Sequence, residues 1–388
     1  MTDRKRGTGT RLVHGGRRKE WRGRLVNPAV ERASTILFDN VDELNRARPG
    51  LGQWNYGLQG MATHWALSEA LTELESGAAG TALYSTGLAA ITGALLAVLA
   101  TGDELFVVDS IYGPTRKFCD TILKRLGIKV VYYDPLAGAA IAEQFTTSTR
   151  AILLESPGSL TMDVQDVPGI CAAARDRGVV SLLDNTWATP LFFPAMAAGV
   201  DISIQALSKY VGGHSDVMIG SATANAEHFK RVQKTCWDLG HAVSPDDAWL
   251  ASRGLRTLGI RLKQHEENAL KVAHWLSEQP QIGRILHPAL PDCPGHEFWK
   301  RDFKGSSGLF SFELKDANVE TRAAFIDSLE LFGIGFSWGG YESLVLPADP
   351  VRTVSAAPAP NLVRLQIGLE DADDLIADLA AAFAQAGR

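Results

Sequence analysis

The sequence has few cysteines. Its 388 residues contain four, Cys119, Cys171, Cys236 and Cys293, which lie far apart and form no CxxC pair. A disulfide framework or a zinc site needs thiols that are closer together or more numerous. We therefore expect reduced thiols, no bound metal and a cytoplasmic location.

The sequence also lacks a long apolar run and an excess of positive charge. Its most apolar stretch, residues 88–100, is too short for a membrane span of about 20 residues and predicts a buried helix. Lysine and arginine total 38 against 44 acidic residues, a net charge of -6. This balance argues against nucleic acid or an anionic membrane as a partner. The basic residues 1–24 have no apolar core of a secretory signal, so we interpret them as a solvated arm.

Two common catalytic motifs are absent as well. There is no GxxxxGK[ST] and no HExxH, which removes the usual nucleotide-binding and zinc-peptidase interpretations.

Short apolar segments alternate with helical patterns through the middle of the chain. The predicted strands are residues 81–84, 104–108, 129–133, 151–154, 179–183, 202–205 and 217–223, with helices such as 115–126 and 167–177 between them. Such alternation predicts an α/β fold with a mostly parallel, helix-covered sheet. From about residue 249 helical patterns lead into strands at 309–314 and 363–367 and a helix from Asp371, which predicts a smaller C-terminal α+β domain.

Three places along the sheet carry candidate chemistry. Asp184 follows a strand, Ser208 and Lys209 follow the next strand, and Gly87 and Leu88 open the apolar helix. A helix N-terminus binds a phosphate, a carboxylate binds a pyridine nitrogen and a lysine binds an aldehyde, which are the requirements of pyridoxal phosphate (PLP). Each feature alone has an ordinary alternative: a helix cap, a solvent-exposed lysine or a tight turn.

Long motifs then point to a known family. The chain resembles the Cys/Met-metabolism PLP enzymes of fold type I along residues 12–17, 154–159, 184–188, 208–210, 212–216, 252–258, 295–303, 337–343 and 364–369. The resemblance implies an arm (1–58) that contacts the neighbouring subunit, a PLP-binding domain (59–254) and a C-terminal α+β domain (255–388). It also implies a homo-oligomer, with dimers that share active sites and assemble into tetramers.

The resemblance assigns roles around the cofactor. Lys209 would hold PLP as a Schiff base and shuttle the α-proton, and Asp184 would keep the pyridine nitrogen protonated. Tyr112 would stack on the ring and could help in proton transfer; its alternative is a buried loop aromatic. The amides of Gly87 and Leu88 would hold the phosphate.

Further residues complete the expected site. The Ser208 hydroxyl would join the phosphate cradle, and Arg364 would bind the substrate α-carboxylate in a bidentate manner. Ser337 and Trp338 would border that carboxylate. The alternatives are a surface ion pair for Arg364 and a core position for Trp338. Tyr56 would complete the site of the neighbouring subunit.

The chain departs from the family directly after Tyr56. Relatives carry one arginine after this tyrosine and glycine, and the most similar lyases carry two, which reach the PLP phosphate and the distal carboxylate of the substrate. Leu58 and Gln59 stand there in this chain. Arg116 and Lys117 are the candidates for a compensating cation, and their alternative is a solvated helix face.

The reaction implied by the resemblance is β-elimination from a sulfur amino acid. Cystathionine would yield homocysteine, pyruvate and ammonia, and cysteine or cystine could also react. γ-Elimination, γ-replacement and racemisation begin with the same α-proton removal, so Lys209, Asp184 and Arg364 do not discriminate among them. A non-catalytic, regulatory PLP-binding protein is a further alternative, which the lysine and the lack of a DNA-binding extension disfavour.

Overall fold

The computed structural model describes residues 6–354 and 360–386 and places twelve strands within them. The strands are β1 (Gly80–Tyr84), β2 (Glu104–Val108), β3 (Lys129–Tyr133), β4 (Thr149–Glu155), β5 (Val180–Asp184), β6 (Ile202–Ala206), β7 (Gly220–Ala224), β8 (Ile282–Leu286), β9 (Leu309–Leu314), β10 (Gly333–Ile334), β11 (Leu344–Pro347) and β12 (Leu362–Gln366).

Thirteen α-helices accompany these strands in the described ranges. They are α1 (Thr8–His14), α2 (Lys19–Arg22), α3 (Val41–Arg46), α4 (Ala62–Leu74), α5 (Gly87–Val98), α6 (Gly113–Phe118), α7 (Val167–Asp176), α8 (Thr189–Phe192), α9 (Phe229–Asp238), α10 (Pro245–Ser277), α11 (His296–Asp302), α12 (Val319–Asp327) and α13 (Ala372–Ala386). The helix predicted at 115–126 is divided, because a π-helical turn at Cys119–Leu123 follows α6.

The larger sheet has seven strands in the order β1-β7-β6-β5-β4-β2-β3. The pairs from β6 through β5, β4 and β2 to β3 are parallel, whereas β7 runs antiparallel to both β1 and β6. Strand β2 is buried along its whole length, as expected for a sheet that helices cover on both faces. The predicted mostly parallel sheet is confirmed, with β7 as the exception.

The smaller sheet has five strands in the order β10-β11-β12-β9-β8 and a separate apolar core. Helices α12 and α13 pack together, and α13 also packs on α10. Helix α10 runs through the predicted boundary at residues 254 and 255. It contributes Leu258 to an apolar cluster with α4 and Val272 to the core of the smaller sheet.

The N-terminal region is less solvated than predicted. Residues 1–5 lie outside the described part of the chain, but α1 and α2 bury Leu12 and Trp21. The solvated-arm prediction is therefore wrong for Leu12 and Trp21, which pack into apolar clusters, whereas most of the other described residues of this stretch are exposed. The apolar run 88–100 forms the buried helix α5, as predicted. Within the described ranges, no helix has the length and apolar character to cross a membrane.

Candidate active site

One edge of the larger sheet gathers the predicted site residues. Asp184 is the last residue of β5, and Ser208 and Lys209 follow β6. Strands β5 and β6 are parallel, so their carboxyl ends meet at this edge. Strand β1 has the same direction as β6, because both are antiparallel to β7. The helix that follows β1 therefore begins at the same edge, where ligands bind in open α/β sheets.

Lys209 lies in a partly buried position between two charged groups. Its Nζ donates a hydrogen bond to the Ser337 hydroxyl at 2.5 Å. Burial and the positive charge of Arg364 lower the pKa of Lys209 to about 8, and the negative charge of Asp184 opposes this shift. A substantial fraction of the amine is therefore neutral near physiological pH, as a nucleophile or a base requires.

The Asp184 carboxyl is held by one neighbour, Thr186. Oδ1 accepts the Thr186 hydroxyl at 2.5 Å and the Thr186 amide at 3.0 Å. Burial raises the pKa of Asp184, whereas these two hydrogen bonds and the charge of Lys209 lower it. Both described bonds go to Oδ1, so Oδ2 can accept a proton donor in the site.

The N-terminus of α5 provides an anion cradle. The Thr86 side chain caps the helix by accepting the Ala89 amide, and the amides of Gly87 and Leu88 belong to the first turn, which has no intrahelical acceptor. Glycine is required at position 87 because the start of α5 packs closely against β6: a Cβ at this position would lie 2.4 Å from the Ala206 Cβ.

Arg364 lies in the middle of β12 with only 8% of its surface exposed. Its Nη2 donates to the Ser337 carbonyl at 2.9 Å, and its buried Nε has no partner within the described chain. Burial lowers the pKa of Arg364 to about 10, so the guanidinium stays charged at neutral pH. The surface ion-pair alternative is wrong, because the side chain is buried and pairs with a carbonyl.

Tyr112 borders the same space. Its side chain is 43% exposed, which contradicts the buried-loop alternative. Burial of its hydroxyl and the negative charges of Asp184 and Glu155 raise the pKa of Tyr112, whereas the charge of Arg364 lowers it. All three charged groups therefore act on the Tyr112 hydroxyl.

A strained segment closes the other side of Lys209. Ser337 has a φ of 78°, which is uncommon for a residue other than glycine. At Gly339 a Cβ would lie 2.8 Å from the Tyr210 nitrogen, so only glycine allows this segment to press on the backbone beside Lys209. The Trp338 ring lies 5.4 Å from the Tyr210 ring and 5.4 Å from the Lys209 Nζ. Trp338 thus combines packing with a position in the site.

Residues 335–339 also form the pattern GxSxG, centred on Ser337. In α/β-hydrolases this serine occupies a turn between a strand and a helix. Here the serine lies between strands β10 and β11 and contacts a lysine. The fold therefore does not support a serine-hydrolase interpretation.

Tyr56 and the turn that follows it lie apart from the residues around Lys209. Tyr56 is 49% exposed and makes no described hydrogen bond to Lys209, Asp184 or Arg364. The adjoining Gly57–Gln59 turn lines a separate cavity of about 460 Å³.

The prediction that Arg116 supplies a compensating cation is wrong. Its guanidinium is buried, donates to the Asp109 carboxylate at 2.6 Å and stacks 3.9 Å from the Tyr132 ring centre. Because Arg116 is buried, the solvated-face alternative is wrong for it as well. Lys117 is exposed and stays a prediction.

Sequence reasoning missed two residues. Thr186 lies two residues after Asp184, and Glu155 ends the strand next to it. Both belong to motifs that carried the family resemblance, but only the fold shows what they contact.

The site fits PLP in its chemistry. The first turn of α5 offers the amides of Gly87 and Leu88 to an anion. The Asp184 carboxyl has one oxygen without a hydrogen bond within the described chain, and Lys209, with its lowered pKa, lies in the same site. The unpartnered Nε of Arg364 could bind a substrate carboxylate in the same space.

Comparisons with known proteins agree with this chemistry. The profile described as "Cys/Met metabolism PLP-dependent enzyme" matches residues 9–384. The chain is 46% identical to the cystathionine beta-lyase of Escherichia coli K12, over 97% of this chain and 98% of that protein. It is 49% identical to a putative cystathionine beta-lyase of Rhizobium johnstonii, over 98% of this chain and 96% of that protein.

Two other similar proteins have different activities in their names. The L-alanine/L-glutamate racemase of Wolbachia pipientis is 38% identical over 96% of each chain. The crystal structure of cystathionine gamma-lyase from Lactobacillus plantarum, in complex with L-serine, superposes with a TM-score of 0.89. It is 28% identical, and the match covers 98% of this chain and 100% of that one.

Proposed function

The chain belongs to the Cys/Met metabolism PLP-dependent enzyme family, and from this membership we propose that it is a cystathionine β-lyase. Cystathionine and water would yield homocysteine, pyruvate and ammonia, and cysteine or cystine could also react. The observation that carries this proposal is the near-full-length identity of almost half to cystathionine beta-lyases. The fold is PLP fold type I, with a mostly parallel, helix-covered sheet and a smaller C-terminal α+β domain.

We propose that five groups hold the cofactor. The amides of Gly87 and Leu88 and the Ser208 hydroxyl bind its phosphate, and Asp184 binds its pyridine nitrogen through Oδ2. Lys209 joins it covalently. PLP, when bound, supplies a sink for the electron pair left at Cα of an amino acid.

Lys209 is also proposed as the base that removes the α-proton. Its pKa of about 8 allows Nζ to accept a proton and to release it again near neutral pH. The Ser337 hydroxyl at 2.5 Å orients Nζ beside the site. Lys209 could then return the proton to the departing thiolate sulfur.

Arg364 is proposed to bind the substrate α-carboxylate. Its fixed charge and unpartnered Nε favour a carboxylate, and the bond from Nη2 to the Ser337 carbonyl keeps the guanidinium plane in place. Trp338 excludes water from the same side, and Tyr112 covers the cofactor ring and could help in proton transfer.

The active site is proposed to be shared between subunits. Residues 25–56 expose several large apolar side chains, among them Leu37 at 90% and Tyr56 at 49%. Such a surface is typical of one that a partner covers. We propose that an arm of residues 1–58 places Tyr56 in the neighbouring site of a dimer, that dimers form tetramers, and that residues 59–254 and 255–388 form the two domains of a cytoplasmic enzyme.

A product assay tests the activity. The purified protein is mixed with cystathionine, and pyruvate, free thiol and α-ketobutyrate are followed together. Equal amounts of pyruvate and thiol without α-ketobutyrate are expected. α-Ketobutyrate as the main product would instead indicate γ-elimination.

A racemase is the second candidate, which the Wolbachia relative favours. Incubation with L-alanine and chiral separation of the products tests it. Formation of D-alanine faster than pyruvate forms from cystathionine would replace the lyase proposal.

A further inference from the structure

Glu155 contacts the backbone of a proposed site residue. Its Oε2 accepts the Tyr112 amide at 2.7 Å. The Tyr112 carbonyl accepts the Arg116 amide at 3.0 Å in the first turn of α6. Both polar backbone groups of Tyr112 therefore have fixed partners, and the amide has no other acceptor in the described chain.

The position of Glu155 is itself fixed by the larger sheet. It is the last residue of β4 and pairs in register with Asp184, the last residue of the parallel strand β5. Its carbonyl accepts the Gln165 side-chain amide at 2.8 Å, and the Gln165 side-chain oxygen accepts the Tyr133 hydroxyl at 2.8 Å. The same strand pair thus places Asp184 and, through Glu155, the backbone of Tyr112.

The chemistry of the carboxyl suits a lasting contact. Burial and the charge of Asp184 raise the pKa of Glu155 well above its usual range, while the Tyr112 amide and the charge of Arg352 oppose this shift. A carboxyl keeps an acceptor oxygen whether it is protonated or ionised. The bond to the Tyr112 amide can therefore form in either state.

We propose that Glu155 is a positioning residue of the reaction. Its side chain holds the Tyr112 backbone at the end of β4, beside Asp184 at the end of β5, and so determines where the Tyr112 ring lies over the cofactor. This inference rests on the proposed role of Tyr112. It adds to that role the group which couples the tyrosine loop to the sheet.

The experiment compares Glu155→Ala and Glu155→Gln in the enzyme loaded with PLP. The chain has seven tyrosines, so labelling with ¹⁵N-tyrosine gives a small set of amide signals, and Tyr112→Phe identifies the signal of Tyr112. We expect Glu155→Ala to shift this signal and to accelerate its hydrogen exchange, and we expect Glu155→Gln, which keeps an acceptor, to retain most of the protection.

Turnover is measured on the same samples. Because the Tyr112 ring would be misplaced, we expect Glu155→Ala to lower kcat/KM about ten- to a hundredfold. We expect Glu155→Gln to retain most of the kcat/KM of the unmodified enzyme. Glu75→Gln is the matched control, because the buried Glu75 carboxyl also accepts a backbone amide, that of Met196, away from the site. It should leave the Tyr112 signal unchanged.

The amide signal of Tyr112 reports the contact with Glu155 directly, so it tests this inference even if the protein is not a cystathionine β-lyase. An unchanged Tyr112 signal in Glu155→Ala overturns the proposal, whatever happens to turnover. If the alanine variant does not fold, the glutamine variant decides: loss of Tyr112 protection with full folding by circular dichroism would also overturn it, because the acceptor is still present.

Discussion

The Thr186 hydroxyl lies 2.5 Å from Oδ1 of Asp184, and its oxygen accepts the Ala206 amide at 2.9 Å. Because the oxygen already accepts a hydrogen bond from β6, its own proton points to Asp184. Strand β6 therefore fixes the orientation of the carboxyl on β5. One hydroxyl links two neighbouring strands at the edge that carries the site.

Replacing Thr186 with valine should weaken cofactor retention. The change removes the hydroxyl bond to Oδ1 and leaves only the backbone amide of residue 186 to orient the carboxyl, so its pKa should rise and its charged form should become less favourable. A lost hydrogen bond to a charged group corresponds to about tenfold weaker PLP binding. Equilibrium dialysis measures it. Thr186→Ser keeps the hydroxyl and should bind PLP as the unmodified enzyme does; equal weakening in both variants would contradict the argument.

The capture of PLP by Lys209 should depend on pH. The neutral amine attacks the aldehyde, and a pKa of about 8 means that this form increases as pH rises. The neutral fraction goes from about a tenth at pH 7 to about nine-tenths at pH 9. The rate at which cofactor-free protein develops the visible absorbance band should follow the same curve.

Two variants check that dependence. Arg364→Met removes the neighbouring positive charge, so the midpoint should move to higher pH. Lys209→Ala should lose the band, the covalent link after borohydride reduction and turnover. Peptide mapping that finds the reduced cofactor on another lysine would show that the assignment is wrong.

Arg364→Ala should damage substrate binding and leave the cofactor bound. The guanidinium is charged and has an unpartnered Nε in the site, so its loss removes charge-assisted bonds that together correspond to about a hundredfold in kcat/KM. Steady-state kinetics and the absorbance of bound PLP measure the two effects. The control is Arg284→Ala on the outer strand β8, which breaks an ion pair with Glu313 of β9. An Arg364→Ala enzyme with unchanged kcat/KM would refute the assignment.

Much of the fold could be predicted from local patterns. Strands β2, β3 and β9 lie at the predicted residues, because apolar runs bounded by turn residues are strong signals in a buried sheet. The antiparallel direction of β7 could not be predicted, since periodicity contains no information about strand direction. The full extent of α10 was also missed, although its N-terminus carries Ser244 as a cap and Pro245 at the first position.

Site residues could be predicted where a short sequence motif indicated a single chemical role. Lys209, Asp184 and Gly87 were found from spacing relative to strands, and Arg364 and Tyr112 through the family resemblance. Arg116 was misjudged because its position four residues after Tyr112 suggested an exposed helix face. Its guanidinium instead pairs with Asp109, which follows β2, and only the tertiary fold brings that carboxylate close.

Glu75 should make stability depend on pH. Burial raises its pKa to about 7, while bonds from Ser203 and the Met196 amide oppose the shift. A raised carboxyl pKa favours the protonated folded form, so this contribution is fully present below the unfolded pKa and is lost as pH rises towards 7. Glu75→Gln should therefore stabilise the protein at pH 8 relative to the unmodified chain by roughly 1–3 kcal/mol more than at pH 4.

Urea unfolding at the two pH values measures this difference. Glu143→Gln, a change at an exposed carboxyl, should show no such dependence. A Glu75→Gln protein whose advantage is the same at both pH values would show that the carboxyl is not protonated on folding.

The last prediction concerns the two positions at which relatives carry arginine. Leu58 is partly buried and donates no hydrogen bond from its side chain, and the Gln59 side-chain oxygen accepts the Asn55 amide at 2.7 Å. Neither side chain is charged, and Arg116 is engaged elsewhere. We expect weaker PLP retention than in relatives and a weaker preference for cystathionine over cysteine.

Two variants that restore an arginine test this expectation. Leu58→Arg should tighten PLP binding, as measured by dialysis, and Gln59→Arg should lower KM for cystathionine but not for cysteine. Leu126→Arg adds the same charge at an exposed position outside the arm and should change neither quantity. If the unmodified enzyme retains PLP through extensive dialysis and strongly prefers cystathionine, another cation, such as Lys117, already replaces the missing arginines.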